Sequence, residues 1–242
     1  MALVGLGLMA GQGRAGLVTY VGEDLQLTAN PTVRTNSDAA AASFSAAAST
    51  LGPIATITFE SAPLGNVNNL AVAPGVTING SDGNGNPQTI RNTTNFPSYP
   101  SVDGSNTTAG GSQFVEMFGG TLVFTFAHPT QFFGAYLTGV QTNFFSDSVN
   151  FSDGTAQTIT LAGTGTSSGV GEIAFVGFTD AAKSITSITI NAGVPASGFD
   201  AIGVDDVSFQ TAVPEPSALA LCSIAGLASL CYARARSRRT MD

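Results

Sequence analysis

Gly198 to Phe209 reads GFDAIGVDDVSF, and its adjacent carboxylates, Asp205 and Asp206, are the residues whose type and spacing most invite chemistry. If Val207 and Phe209 turn toward a core, the strand period of two puts Asp205 on the same side. A carboxylate so placed must be paired, protonated or bound to a metal. Basic partners are scarce, so calcium is the candidate. Its ligands would be Glu60, near the start of the first sandwich strand, with Asp205 and Asp206, near the start of the last. The competing reading leaves both aspartates at a solvated strand end.

Other reactive groups are sparse. His128 is the single histidine and stands in AHPT after an apolar strand, where a turn residue is the ordinary reading. With one histidine and no cysteine before Cys222, the common hydrolytic triads and zinc sites cannot be assembled. Glu60, Glu116 and Glu172 leave a glycosidase-type carboxylate pair formally open, although nothing in the sequence pairs them. SDGTAQ at 152–157 and the glycines of 163–171 read as turns, because neither has the strand-to-helix context of a phosphate loop.

These side chains need strands to hold them, and from Ile54 onward the sequence supplies short β-runs between Gly, Asn, Asp and Pro clusters. In TLVFTFA, Leu122, Phe124 and Phe126 face one way while Thr121 and Thr125 face the other. Further strands are expected at 55–60, 70–78, 113–118, 131–137, 147–151, 157–161, 172–178, 184–190 and 201–210. About ten strands suit an all-β, jelly-roll-like β-sandwich. SDGNGNPQ at 81–88 and SVDGSNTTAGGS at 101–112 read as flexible turns. One helix precedes the sandwich: Asn36-Ser37-Asp38 offers N-cap oxygens to an alanine-rich stretch in which Phe44, Ala48 and Leu51 share a face, and Gly52 supplies the stop.

Charge divides the 242 residues unevenly. Between Gly16 and Pro216 there are three basic residues against fifteen carboxylates, a formal −12. Such a surface repels nucleic acid and anionic lipid headgroups. Four of the eight basic residues, Arg234, Arg236, Arg238 and Arg239, cluster near the C-terminus behind the uncharged run from Ala218 to Ala233, which contains both cysteines, Cys222 and Cys231. As a helix that run spans roughly 24 Å, close to the ~30 Å hydrocarbon core that snorkelling arginines can reach across. The arginines place the C-terminus in the cytoplasm and the body outside. Pro214 and Pro216 hold Glu215 in an extended peptide just outside the bilayer.

Val213-Pro214-Glu215-Pro216, the apolar run and the arginine cluster together resemble the PEP-CTERM sorting signal of Gram-negative bacteria. The resemblance covers about the last 30 residues. It implies processing by exosortase, a membrane-embedded cysteine peptidase or transpeptidase, and an association with exopolysaccharide and biofilm matrix. NSDAAAASF ahead of ITFES is a looser similarity to proteins of that kind. MAM-like and carbohydrate-binding sandwich modules are also similar in opening on a Phe-Glu step and closing on an Asp-Asp-Val strand, positions filled here by Phe59-Glu60 and Asp205-Asp206-Val207. At the other end, LVGLGLMA at Leu3–Ala10 reads as the apolar region of a secretory signal peptide, with Gly13-Arg14-Ala15 as cleavage site and no Lys or Arg ahead of it.

The expected organisation is a signal-peptide remnant at 1–15, an N-terminal segment with one helix at 16–52, a β-sandwich at 53–211 and a sorting signal at 212–242. The function expected is a non-enzymatic, exported, exosortase-processed protein of the cell surface or extracellular matrix, with a structural or adhesive role. The precursor would sit in the inner membrane through its transmembrane helix. The alternative is a carbohydrate-binding module for matrix polysaccharide, with or without a structural calcium. Lacking Trp, it would stack sugars on Tyr99, Tyr136, Phe144 or Phe145.

Overall fold

The computed structural model describes residues 16–26, 33–93, 104–140, 146–160, 171–193 and 201–211. The chain forms two units, 1–211 and 212–242. The sorting motif, apolar run and arginine cluster belong to the second and lie outside the described residues, as do the expected signal region, Tyr99, Phe144 and Phe145.

The elements in chain order are β1 (Val18–Gln26), α1 (Thr35–Ala48), β2 (Ile54–Ile57), β3 (Gly65–Asn66), β4 (Leu70–Ala73), β5 (Val76–Ser81) and β6 (Thr89–Arg91). They continue as β7 (Phe114–Met117), β8 (Gly120–Thr130), β9 (Phe132–Val140), β10 (Ser146–Phe151), β11 (Ala156–Thr160), β12 (Gly171–Thr179), β13 (Ile185–Gly193) and β14 (Ile202–Gln210). Two antiparallel sheets form the expected all-β sandwich. The larger runs β1-β12-β9-β14-β7-β6-β3, with β2 also paired to β14, and the smaller runs β11-β10-β13-β8-β5-β4. β14 divides one edge between two partners: Ile202 to Val204 pair with β7, and Val207 to Gln210 pair with β2.

Alternation explains the core. Leu122, Phe124 and Phe126 of β8 are buried while Thr125 is exposed, and they meet Phe133, Ile188, Val204 and Phe209 between the sheets. Phe124 and Phe126 both lie against the Phe133 ring, with centroids 5.2 and 6.3 Å away. β8 outruns its expected end, so exposed His128 lies within a strand rather than in a turn after it. The expected strand at 70–78 is a hairpin, β4 and β5, turned at Pro74-Gly75, where Gly75 has φ of 74°. SDGNGNPQ is an ordered turn: the Asp82 carboxylate accepts the backbone N–H groups of Asn84 and Asn86, both at 2.8 Å.

The stretch 16–52, read from the sequence as preceding the sandwich, is built into it. β1 pairs with β12 along its whole length, and α1 lies on the outer face of the larger sheet. Gly134 and Gly177 stand opposite each other on β9 and β12, leaving a notch in that face. Phe44 fills it, and a Cβ on Gly177 would come within 2.7 Å of the Phe44 ring. Phe132, Tyr136, Ile173 and Phe175 complete this second cluster. The helix start also differs from expectation. Asn36, Ser37 and Asp38 lie inside α1, and the cap comes from β1: Asp24 accepts the backbone N–H groups of Asn36 at 3.1 Å and Ser37 at 2.8 Å.

Candidate functional site

The site grows from an irregularity in β14. Asp205 stands opposite Tyr136 of β9 and Ser208 opposite Gly134, so Asp206 and Val207 share the space of Ala135 alone. This two-against-one bulge resets the alternation. Ile202 and Val204 face the core before it, and Val207 and Phe209 face the core after it. Asp206 absorbs the extra residue at φ 47°, a left-handed conformation that aspartate tolerates better than most side chains. The unbroken period of two expected from the sequence is therefore corrected: Asp205 shares a face with Tyr136, the outer face, and points away from the space between the sheets.

Asp205 is nevertheless fully buried, because the segment from Gly104 to Gln113 folds down over it. Ser105 N–H donates to Thr138 Oγ1 at 2.7 Å, and the Thr138 hydroxyl donates back to Ser105 O at 2.8 Å. Gly104 rests so close on Gly203 that a Cβ would overlap its backbone. The stretch read as a flexible turn is thus a lid fastened to the sheet. Arg34, at the start of α1, reaches across to Thr107 O at 3.4 Å.

Beneath the lid, acceptors outnumber protons. Asp205 Oδ2 accepts the backbone N–H of Thr107 at 2.8 Å and of Thr108 at 3.2 Å. The Thr107 and Thr108 hydroxyls lie 3.2 and 3.3 Å from it, but 2.8 and 2.7 Å from the two oxygens of Asp206. Each hydroxyl has one proton, and the shorter bonds to Asp206 take it. Asn106 Nδ2 has two protons and three acceptors at 3.0 Å: Glu60 Oε1, Gln113 O and Asp205 Oδ2. Glu60 Oε1 also takes the N–H groups of Ser112 and Gln113, each at 2.8 Å. Three buried oxygens, Asp205 Oδ1, Asn106 Oδ1 and Gln113 Oε1, have no hydrogen-bond donor among the described residues. Burial foremost, with the nearby Asp206 charge adding to it, pushes the Asp205 carboxyl up to about 7 against the backbone N–H groups of Thr107, Asp206 and Thr108.

Glu60 and Asp205, named from the sequence as metal ligands, are therefore brought together. Asp206 turns to the threonine hydroxyls, and among the described residues no three acidic, histidine or cysteine side chains form a metal-holding group. An oxygen-only site would need the amides of Asn106 and Gln113, which sequence reasoning missed. The other carboxylates go elsewhere: Glu116 is ion-paired with Arg91, and Glu172 lies on β12 near Glu23. SDGTAQ is the expected hairpin turn between β10 and β11, tied by Asp153 to Thr155 and to Lys183.

Beside the lid, α1, β2, β9, β12 and β14 enclose a pocket of about 240 Å³. Tyr136, Phe44 and Phe175 are among its apolar lining, and Asp206, Ser208 and Ser45 among its polar groups. Tyr136 is not the exposed stacking platform expected: it is buried, its hydroxyl donates to Asp38 at 2.7 Å, and the Arg34 guanidinium lies 4.6 Å from its ring centre. Burial first, then the bond to Asp38, raises its phenol above the ordinary range.

No known protein family matches the chain, and no curated protein resembles it significantly in sequence. Among solved structures, the K1 cleaved adhesin domain of Lys-gingipain from Porphyromonas gingivalis W83 is 11% identical, with a TM-score of 0.37, covering 67% of this chain and 100% of its own. The family 29 carbohydrate-binding module of Piromyces equi is 12% identical, with a TM-score of 0.34, covering 65% of this chain and 89% of its own. TmCBM61, solved with β-1,4-galactotriose, is 12% identical, with a TM-score of 0.32, covering 64% and 95%. Scores this low carry no inference about the present chain.

Proposed function

We propose that the chain is exported and sorted to the cell surface or exopolysaccharide matrix, that exosortase processes its tail, and that its sandwich serves there as a structural or adhesive body without enzymatic activity. One observation carries this reading. The order Val213-Pro214-Glu215-Pro216, apolar run and arginine cluster begins directly behind β14, which ends at Gln210. A precursor of this kind is held in the inner membrane by the run, with the arginines inside and the proline-flanked glutamate outside. The acidic, thiol-free body is suited to an oxidising exterior and gains nothing from nucleic acid or anionic lipid. Replacing Pro214, Glu215 and Pro216 together by Ala, in cells that carry an exosortase, leaves precursor in the inner membrane. Unchanged delivery of the variant to the surface would contradict the reading.

A second reading, binding of matrix polysaccharide, is favoured by the pocket beside Asp206. Its lining combines aromatic rings with a carboxylate and hydroxyls, the group types that recognise a sugar ring. Its volume suits one ring better than an extended ligand. On a glycan array, saturable binding by the wild type that disappears in Ser45→Trp, which fills the pocket from the exposed side of α1, supports this reading. A wild type that binds no glycan saturably counts against it.

A further inference from the structure

The acceptors under the lid have too few protons, and their remedy is a cation. Glu60 and Asp205 lie within two hydrogen-bond lengths of each other, since Asn106 Nδ2 is 3.0 Å from an oxygen of each. No ion pair is formed by Glu60, Asp205 or Asp206 with the described basic residues: Arg34 pairs with Asp38, Arg91 with Glu116 and Lys183 with Asp153. Independently of the carboxylates, the Asn106 amide, 6% exposed, has an Oδ1 without a donor among the described residues; Nδ2 is the end that faces Glu60 and Asp205, and a half-turn of the amide brings Oδ1 to them instead. Gln113 Oε1 is in the same condition, although its Nε2 donates to Glu60 O at 3.2 Å. Buried oxygens of this kind are normally satisfied, and here Asp205 Oδ1, Asn106 Oδ1 and Gln113 Oε1 belong to one group of neighbouring side chains.

Water could supply two protons but no charge, and the group carries up to three negative charges. A divalent cation supplies charge and coordination together. The available donors are carboxylate and amide oxygens, with no nitrogen or sulfur, which selects a hard ion. Ca²⁺ takes six to eight oxygens at about 2.3–2.6 Å in adaptable geometry, including amide and backbone carbonyls and water. Mg²⁺ demands a tighter octahedron and keeps more of its water, so a mixed, irregular set of this kind suits it less.

We propose that the lid over β14 closes on one Ca²⁺ ion, held by Asp205 and Glu60 with the side-chain carbonyls of Asn106 and Gln113, and that the ion fastens residues 104–113 to the sheet. The ligands come from three separate stretches of chain: the turn after β2, the lid and the bulge of β14. Calcium binding therefore reports on the folded arrangement and has little to hold in the unfolded chain. It is independent of how the C-terminal tail is handled.

The test uses the full chain in mild detergent, stripped with chelator and titrated with Ca²⁺ by calorimetry, with parallel melting curves. One Ca²⁺ binds per chain, and at about 100 times its dissociation constant it raises the melting temperature by about 5 to 11 °C over chelator. Glu60→Gln weakens binding at least tenfold and Asp205→Asn abolishes it, while Asp153→Asn, on the remote β10–β11 turn, changes neither. Should Asp205→Asn fail to fold, the wild-type titration and Glu60→Gln decide. Coincident wild-type melting curves in calcium and chelator would overturn the proposal. So would calcium binding that persists undiminished in Glu60→Gln, which would put the ion elsewhere.

Discussion

Asp205 and Glu60 lie one donor apart: Asn106 Nδ2 is 3.0 Å from a carboxylate oxygen of each. The antiparallel pairing of β2 with β14 makes this possible, because Val207 stands opposite Ile57, so Glu60, three residues after Ile57, and Asp205, two before Val207, lie toward the same end of the pair. The lid then supplies the amide between them.

Asp205 makes the stability of the calcium-free protein depend on pH in an unusual direction. Its carboxyl titrates near 3.9 when unfolded and near 7 when folded, so the folded state binds the proton more tightly. Its contribution is most favourable below about pH 4 and is lost as pH rises through 7. Glu60 and Asp206 share the cluster, and Arg34 reaches it only through the Thr107 carbonyl. Relative to Asp205→Asn, wild type in chelator therefore loses stability between pH 4 and 7, by at most about 4 kcal/mol. Urea unfolding at several pH values checks this, and a wild type that gains stability relative to Asp205→Asn as pH rises would contradict it.

Phe44 fastens α1 to the sheet. Its ring lies 5.9 Å from Phe132 and 5.4 Å from Phe175, over the notch left by Gly134 and Gly177. Phe44→Ala should cost about 3–5 kcal/mol, and Gly177→Ala about 1–3 kcal/mol through overpacking. Denaturant midpoints measure both, and an unchanged midpoint in Phe44→Ala would mean the helix does not contribute to the fold.

Asp24 caps α1 from the neighbouring strand. Although burial opposes it, bonds from Ser37 and Asn36 hold its carboxyl below the usual range. Asp24→Ala should cost about 0.5–2 kcal/mol at neutral pH. A folded value below the unfolded one means that this stabilisation is present above about pH 4 and lost as pH falls. The two proteins should therefore converge in stability in acid, and a constant gap across pH would assign the loss to packing instead.

Nine of the ten strands expected from the sequence appear as single strands, because their apolar residues alternate or are bounded by turn residues, as Leu122, Phe124 and Phe126 show, and the tenth, 70–78, is the β4–β5 hairpin. β1 was missed: Gly22, Glu23 and Asp24 break its apolar pattern, and Val18 and Val21 face solvent at the sheet edge. The lid was missed because Ser, Asn, Thr and Gly describe an open turn as well as a segment pinned by Thr138 and Asp205. The bulge did leave a trace. Ile202, Val204, Val207 and Phe209 cannot all face one side at a period of two, so the pair Asp205-Asp206 between the valines must hold an extra residue. That spacing pointed to the outer face, while Asn106 and Gln113 carry no local pattern that marks them.

Export and sorting through the tail are tested by the intact mass of the protein recovered from its native cell surface or matrix. A sorted mature chain ends at about Pro216 and contains no cysteine, since both cysteines lie in the run behind it. Recovery of the chain with its tail intact to Asp242, embedded in the membrane of cells that carry an active exosortase, would contradict this sorting.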